Sequence, residues 1–203
     1  MNITENKTKN KMKTRFKLFA IVAFILTSLI SNAQGWSMVY EINTSGNSDP
    51  KHKTVYNNKL FFTATSHTFG NELWTYDGIN NPYMVEDINV GSGSSSISEI
   101  VVCNGKLFFN GWRSTTGNEL WVYNGINCQV IDICPGIGSS KPHDFFVLNN
   151  KLYFTLDSNG VNDLQYCYDE SHTPNLIKIP FNIYGYNPAV YNNKLSLVYH
   201  KKY

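Results

Sequence analysis

The sequence has little charge and no long apolar run. Only 16% of its 203 residues are charged, whereas 42% are apolar and 14% aromatic, which excludes an intrinsically disordered chain. Residues 1–33 hold six of the 17 basic residues and one of the 15 acidic residues, which leaves 11 basic and 14 acidic residues and a net charge of −3. That balance excludes the basic surface with which proteins bind nucleic acid or anionic lipid.

The motifs of common catalytic and metal sites are also missing. The five histidines lack the spacing of metal ligands or of a catalytic triad, and there is no HExxH helix or glycine-flanked serine elbow. The Gly and Ser run at 91–96 lacks the Lys-Ser/Thr ending of a phosphate-binding loop, so we interpret it as a connection. We therefore predict no catalytic residue, no metal site and no cofactor.

Cysteines are few: Cys103, Cys128, Cys134 and Cys167. Their spacing indicates no zinc site. Disulfides are chemically permitted in an exported chain, and a bond between Cys128 and Cys134 would join the ends of one strand. Four cysteines allow three connectivities, between which the sequence does not choose, and small buried thiols fit the pattern equally well.

The first 33 residues have the three parts of an export signal. Basic residues lie at 11–17, an apolar run follows at 18–30, and Ser31-Asn32-Ala33 supplies small residues for cleavage before Gln34. A helix over that run spans about 20 Å, less than the roughly 30 Å hydrocarbon core of a bilayer, which disfavours a stable transmembrane anchor. We predict a signal peptide at 1–33 and a mature chain that is secreted, displayed on the cell surface or periplasmic.

A short motif beginning Lys-Leu returns at spacings of 47, 45 and 43 residues. Its copies begin at Lys59, Lys106, Lys151 and Lys194. A two-residue turn signal precedes each copy: Asn57-Asn58, Asn104-Gly105, Asn149-Asn150 and Asn192-Asn193. Asn and Gly tolerate the positive φ that both central residues of a type I′ hairpin require, so each pair predicts two antiparallel strands.

Each repeat has the pattern of four short strands. In the second strand, apolar residues stand two apart, as at Leu60 and Phe62, and the position between them is mostly aromatic, so both sheet faces are predicted to be covered. Third strands are predicted at 72–76 and 119–123, and fourth strands at 83–88, 129–133 and 176–179. Four strands in about 45 residues are typical of one β-propeller blade.

The predicted fold is therefore all-β, with propeller-type repeats of four-stranded antiparallel blades. Within a domain at 34–203, blades are predicted at 52–88, 98–133 and 144–179, with a partial blade at 187–202 and an N-terminal strand at 36–43. These make about 3.5 blades, either as an open arc or as a strained four-bladed ring, since four blades is the lower limit of the architecture. An open arc predicts self-association through apolar flanks that a closed ring buries.

The segment Glu72-Leu73-Trp74-Thr75-Tyr76-Asp77-Gly78 resembles the ELWxxDGT repeat of secreted bacterial proteins, which are kelch-like or hyalin-like. The resemblance is weaker at 119–125, where Asn124 replaces Asp, and poor at Asp163-Leu164-Gln165. Ile79 and Ile126 stand where the family has Thr. The resemblance covers residues 36–203 and implies a propeller-like fold, a secreted or surface location and no transferable catalytic residues.

Recurring residues are interpreted as structural. Trp74 and Trp121 occupy one place in each repeat, as packing residues do, and Glu72 and Glu119 are expected to accept backbone hydrogen bonds from a neighbouring blade. These observations favour a non-catalytic binding or adhesion module. The alternatives are an extracellular glycan-active enzyme, which would need two carboxylates facing one cleft, and a fragment of a larger propeller protein.

Binding residues are expected on the variable rim, opposite the tight turns, because loops on a rigid scaffold carry function. Loops are predicted at 63–70, 110–117 and 155–160, with connections between blades at 89–96, 134–142 and 180–187. The candidate ligand-binding residues on them are His67, Trp112, Arg113, His143, Asp157, Tyr184 and Tyr186. Aromatic faces beside amide and charged groups suit a polysaccharide or a surface protein as the partner.

Overall fold

The computed structural model describes residues 38–157, 164–168, 176–178, 189–191 and 194–196. The chain divides into two units, Met1–Val39 and Tyr40–Tyr203, and the strands of the described residues belong to the second. Within the described ranges the secondary structure consists of β-strands, without a helix. The predicted signal peptide, Tyr184 and Tyr186 lie outside the described residues.

The described strands form three four-stranded sheets and one hairpin. Sheet 1 contains β1 (Lys51–Tyr56), β2 (Lys59–Ser66), β3 (Gly70–Tyr76) and β4 (Tyr83–Glu86). Sheet 2 contains β5 (Ile100–Cys103), β6 (Lys106–Arg113), β7 (Gly117–Tyr123) and β8 (Cys128–Ile131). Sheet 3 contains β9 (Pro142–Leu148), β10 (Lys151–Leu156), β11 (Leu164–Tyr168) and β12 (Leu176–Lys178). The hairpin joins β13 (Ala189–Tyr191) to β14 (Lys194–Ser196).

Each sheet is an antiparallel array in chain order, which confirms the all-β class and the four-stranded repeat. The hairpin turns also have the predicted geometry. Asn57 and Asn58 have φ values of 48° and 57°, and Asn104 and Gly105 have values of 47° and 69°. Both central residues are left-handed, as a type I′ turn requires, so the turn chemistry sets the register of these hairpins.

Two predicted loops are shorter than expected. Strand β2 continues to Ser66 and β6 continues to Arg113, so only three residues separate each from the next strand. The prediction that Trp112 and Arg113 lie in a loop is therefore wrong. Pairing with β7 runs without a break to Arg113 opposite Gly117, whose φ of 73° ends the turn.

The third repeat aligns one residue later than its sequence indicates. Tyr166 lies opposite Phe154, as Trp121 lies opposite Phe109. Leu164 thus takes the position of Glu119, although the motif match had placed Asp163 there. At the other end, residues 38–43 form no strand, but Ile42 packs against Phe62 and Trp74.

The sheets pack face to face, so that each buries apolar side chains on its neighbour. Phe61 and Leu73 of sheet 1 join Leu107, Phe109 and Trp121 of sheet 2 in one cluster. On the opposite face of sheet 2, Phe108, Leu120 and Val122 pack with Leu152, Phe154 and Leu156 of sheet 3. Successive residues of a strand point to opposite faces, so the two neighbouring phenylalanines of β6 serve two different interfaces.

Hydrogen bonds at equivalent positions join neighbouring sheets. The Tyr56 hydroxyl donates to the Gly105 carbonyl oxygen at 2.8 Å, and the Cys103 thiol donates to the Asn150 carbonyl oxygen at 3.3 Å. In both cases the last residue of a first strand contacts the hairpin turn of the next sheet. Cys128 and Cys134 are thiols, so the disulfide considered between them is not formed.

Candidate functional site

The connections between sheets are held at the rim by a recurring serine. The carbonyl oxygens of Ser48, Ser95 and Ser140 accept hydrogen bonds from the backbone N–H groups of Thr65, Trp112 and Asp157, at 2.7, 2.6 and 3.2 Å. The serines recur at 47 and 45 residues, the spacings of the Lys-Leu motif. Sequence reasoning missed this signal, which marks where each connection enters the next sheet.

Each connection is also bonded to the third strand of the preceding sheet. The Asn71 carbonyl oxygen accepts from the Ser95 N–H at 3.0 Å, and the Asn118 carbonyl oxygen accepts from the Lys141 N–H at 3.0 Å. These bonds define two seams. We define the first seam as Thr65, Asn71 and 94–96, and the second as Trp112, Asn118, 139–143 and Asp157. The Trp112 N–H bonds to Ser95, so this residue also connects the two seams.

The two seams differ at one position. In the first seam, the Asn71 side-chain amide donates to the Thr65 hydroxyl at 3.0 Å. In the second, Trp112 replaces that threonine and lies directly opposite Asn118, whose side-chain oxygen is buried without a hydrogen-bond partner. Trp112 is 38% exposed. The first seam thus has two polar side chains that hydrogen-bond to each other. At the equivalent positions, the second seam has an exposed aromatic ring opposite an amide oxygen without a partner.

Charged groups lie in the connection that bonds to Asn118 and at the end of β10. The Lys141 ammonium contacts the Asp157 carboxylate at 3.0 Å, with both side chains more than a third exposed. Nδ1 of His143 lies 3.0 Å from the Lys141 carbonyl oxygen, and its Nε2 lies 3.7 Å from the Asp144 carboxylate. An exposed ion pair contributes little to stability, at most about 1 kcal/mol, so these groups can exchange partners when a ligand arrives.

Three predicted residues thus lie along the second seam: Trp112, His143 and Asp157. His143 lies in β9, so the prediction that it lies in a loop is wrong. His67 lies elsewhere, exposed in the turn between β2 and β3 of sheet 1. Lys141 and Asn118 were missed, because a single lysine and a repeated Asn carry no signal of binding until the fold places Asn118 opposite Trp112 and bonds Lys141 to Asn118.

Arg113 has a structural environment. Its Nε donates to the Ile88 carbonyl oxygen at 2.7 Å, its Nη2 contacts the Glu86 carboxylate at 3.2 Å, and its guanidinium lies 4.4 Å from the ring centre of Trp121. These contacts fasten sheet 2 to sheet 1. As neighbours in a strand, Arg113 and Trp112 point to opposite faces, so they do not act on one ligand.

The recurring carboxylates hold the connections in place. Glu119 is fully buried and accepts hydrogen bonds from the Ile133 N–H at 2.9 Å and the Ser140 N–H at 2.8 Å. Both donors lie in the segment between β8 and β9, so the expectation that they come from a neighbouring blade is wrong. Burial raises the pKa of Glu119 above its usual value and raises that of Glu72 to about 7, because a carboxylate loses hydration inside the protein.

No family model matches the chain, and no curated protein matches it significantly. The described ranges include no helix that is long and apolar enough to cross a membrane. They also hold no group of three or more His, Cys, Asp or Glu side chains that could bind a metal ion.

Proposed function

We propose that the chain is a non-catalytic binding module of the secreted or cell-surface type, and that its ligand occupies the second seam. The observation that carries this proposal is the exposed side chain of Trp112. At the equivalent position of the first seam, the hydroxyl of Thr65 accepts a hydrogen bond from Asn71. Exposed Trp beside polar groups is characteristic of binding surfaces, since its ring offers apolar area at low entropic cost. The predicted N-terminal export signal and the resemblance to ELWxxDGT-repeat proteins support the location.

The proposed architecture is a β-propeller array in which the three sheets are blades. Face-to-face packing of successive sheets supports it. Contacts between the first strands also support it, because β1 contacts β5, β5 contacts β9, and β9 contacts β13. In a propeller the blades are arranged radially about a central channel, which brings their first strands together.

The proposed ligand is a neutral glycan. Lys141 and Asp157 neutralise one another, so this part of the seam presents paired hydrogen-bonding groups. Sugar rings offer one apolar face to an aromatic ring and hydroxyl groups to polar side chains.

Titration of the purified chain with a panel of neutral and acidic polysaccharides tests this proposal. We expect binding of a neutral polysaccharide that Trp112→Ala weakens by about 30-fold, which corresponds to about 2 kcal/mol for an anchor residue. Phe69→Ala is the matched control, because Phe69 is 37% exposed in the turn between β2 and β3, away from the second seam.

Three outcomes would contradict the proposal. The first is equal loss of binding in the Trp112 and Phe69 variants, and the second is binding of acidic polymers only. The third is hydrolysis of a glycan that Asp157→Asn abolishes, which would favour the extracellular enzyme. Export is tested separately by sequencing the N-terminus of the protein recovered from the culture medium, which we expect to begin at Gln34.

A further inference from the structure

The first strands of sheets 1 and 3 have the same β-bulge. Pairing of β1 with β2 shifts its register between Lys51 and Thr54, and pairing of β9 with β10 shifts at the equivalent place. Within the bulges, His52 and Asp144 have left-handed φ values of 47° and 56°. Both residues lie seven positions before the Lys-Leu motif. A bulge interrupts the ladder of backbone hydrogen bonds, so its N–H groups are available to other acceptors.

In sheet 3 the bulge holds a carboxylate. The Asp144 N–H donates to Oε1 of Glu99 at 2.9 Å, and the Phe145 N–H donates to Oε2 of Glu99 at 2.7 Å. Glu99 directly precedes β5 of sheet 2, so this contact joins two neighbouring sheets. Successive backbone N–H groups beside a left-handed residue form a concave site, called a nest, which binds anions. The nest of sheet 3 therefore binds one planar carboxylate through both of its oxygens.

Sheet 1 has the same nest with different contacts. Its N–H groups are those of His52 and Lys53, and among the described residues no side chain accepts a hydrogen bond from either. The Lys53 N–H points away from β2, because Tyr56 and Lys59 flank a two-residue turn as a hydrogen-bonded pair and the direction alternates along the strand. β1 is an edge strand, so this side of its backbone faces no other strand of its sheet.

Cations flank the nest of β1. Lys51, His52 and Lys53 are all exposed. Lys51 forms an ion pair with Asp49, whereas Lys53 has no ion-pair partner in the described ranges. The backbone geometry that binds a carboxylate in sheet 3 thus has an uncompensated ammonium group beside it in sheet 1. Hydrogen bonds to an ionised acceptor are stronger than neutral ones, so an anion at this place gains from both the N–H groups and the cation.

We propose that the bulge of β1 binds the carboxylate of a ligand. The N–H groups of His52 and Lys53 donate to its two oxygens, and the Lys53 ammonium group neutralises its charge. A carboxylate fits better than a tetrahedral oxyanion, because the equivalent nest spaces its two donors for the two oxygens of Glu99. This site belongs to sheet 1 and uses none of the residues of the second seam, so it is independent of the glycan site proposed there.

Titration of the ¹⁵N-labelled full chain with sodium propionate at constant ionic strength, followed by NMR, tests this site. Propionate is the isolated side chain of glutamate and therefore imitates Glu99. We expect the backbone amide resonances of His52 and Lys53 to shift with a Kd of about 1–10 mM, as for a ligand of so few atoms. The amides of Asp144 and Phe145 are the internal control and should not shift, since Glu99 occupies their nest. Propionamide, which has the same shape without the charge, should shift neither pair.

Variants at one lysine separate the backbone donor from the charge. Lys53→Pro deletes the N–H group and should abolish the propionate-dependent shift of His52. Lys53→Gln keeps the N–H group and should weaken binding by about 3-fold, the effect of removing one exposed charge. Lys59→Gln is the matched control, because it removes a charge from the neighbouring strand β2 and should leave the Kd unchanged.

The proposal is overturned if propionate leaves the His52 and Lys53 amides in place, or if propionamide or sodium sulfate shifts them equally. It is also overturned if Lys59→Gln weakens binding as much as Lys53→Gln does, since the lysines would then act only through general attraction of anions. If Lys53→Pro does not fold, the wild-type amide shifts and the Lys53→Gln variant decide the question.

Discussion

Phe109→Ala tests the face-to-face packing of the sheets most directly. Phe109 is fully buried between sheets 1 and 2 and lies nearly parallel to Trp121, with ring centres 6.3 Å apart. Truncation to alanine removes an aromatic ring from a cluster to which both sheets contribute side chains. The cavity that remains cannot close unless one of the sheets moves its strands. We expect the free energy of unfolding to fall by about 3–5 kcal/mol.

Thermal unfolding followed by circular dichroism measures this effect. For a chain of this length, the expected loss lowers the melting temperature by about 6–20 °C. Phe154→Ala is the equivalent substitution in the next repeat, because Phe154 occupies the same position between sheets 2 and 3. Val55→Ala is the exposed control and should change stability by about 0.5 kcal/mol or less. A loss below about 1.5 kcal/mol for Phe109→Ala would show that the sheets do not bury this face on one another.

Two further predictions concern the rim. Gly117→Ala should lower the melting temperature more than Gly105→Ala does. Both residues have positive φ, but only at Gly117 would the added methyl group clash with the Gly138 backbone. Equal losses of melting temperature in the two variants would contradict this contact. The difference in melting temperature between the wild type and Glu119→Gln should be largest below pH 4.5 and shrink as the pH rises through the raised pKa of Glu119. The reason is that the folded state holds this proton more tightly than the unfolded state, and a difference that grows with pH would reverse the sign of the argument.

Local chemistry made the repeat and its strands predictable. Asn and Gly at both turn positions, with apolar residues two apart after them, are sufficient to predict hairpins at Asn57 and Asn104, because positive φ and strand alternation are local properties. The period also indicated which strands belong to one sheet. The prediction was wrong where strand pairing continued beyond the predicted end of the strand, as in β6, which extends through Trp112 to Arg113. A strand ends where its partner ends, and that is a property of two segments.

Sequence alone thus determined that the chain is built of four-stranded antiparallel units, since turn type and alternation are encoded within a few neighbouring residues. Only the tertiary structure decided which side chains meet at the seams. Asn118 lies opposite Trp112 and its carbonyl oxygen accepts from the Lys141 N–H, while the Ser140 carbonyl oxygen accepts from the Asp157 N–H. Arg113, the neighbour of Trp112 in the same strand, is turned to the opposite interface. Which interface a side chain faces depends on how two sheets pack and on which groups bond across them. These are contacts between residues that are distant in the chain.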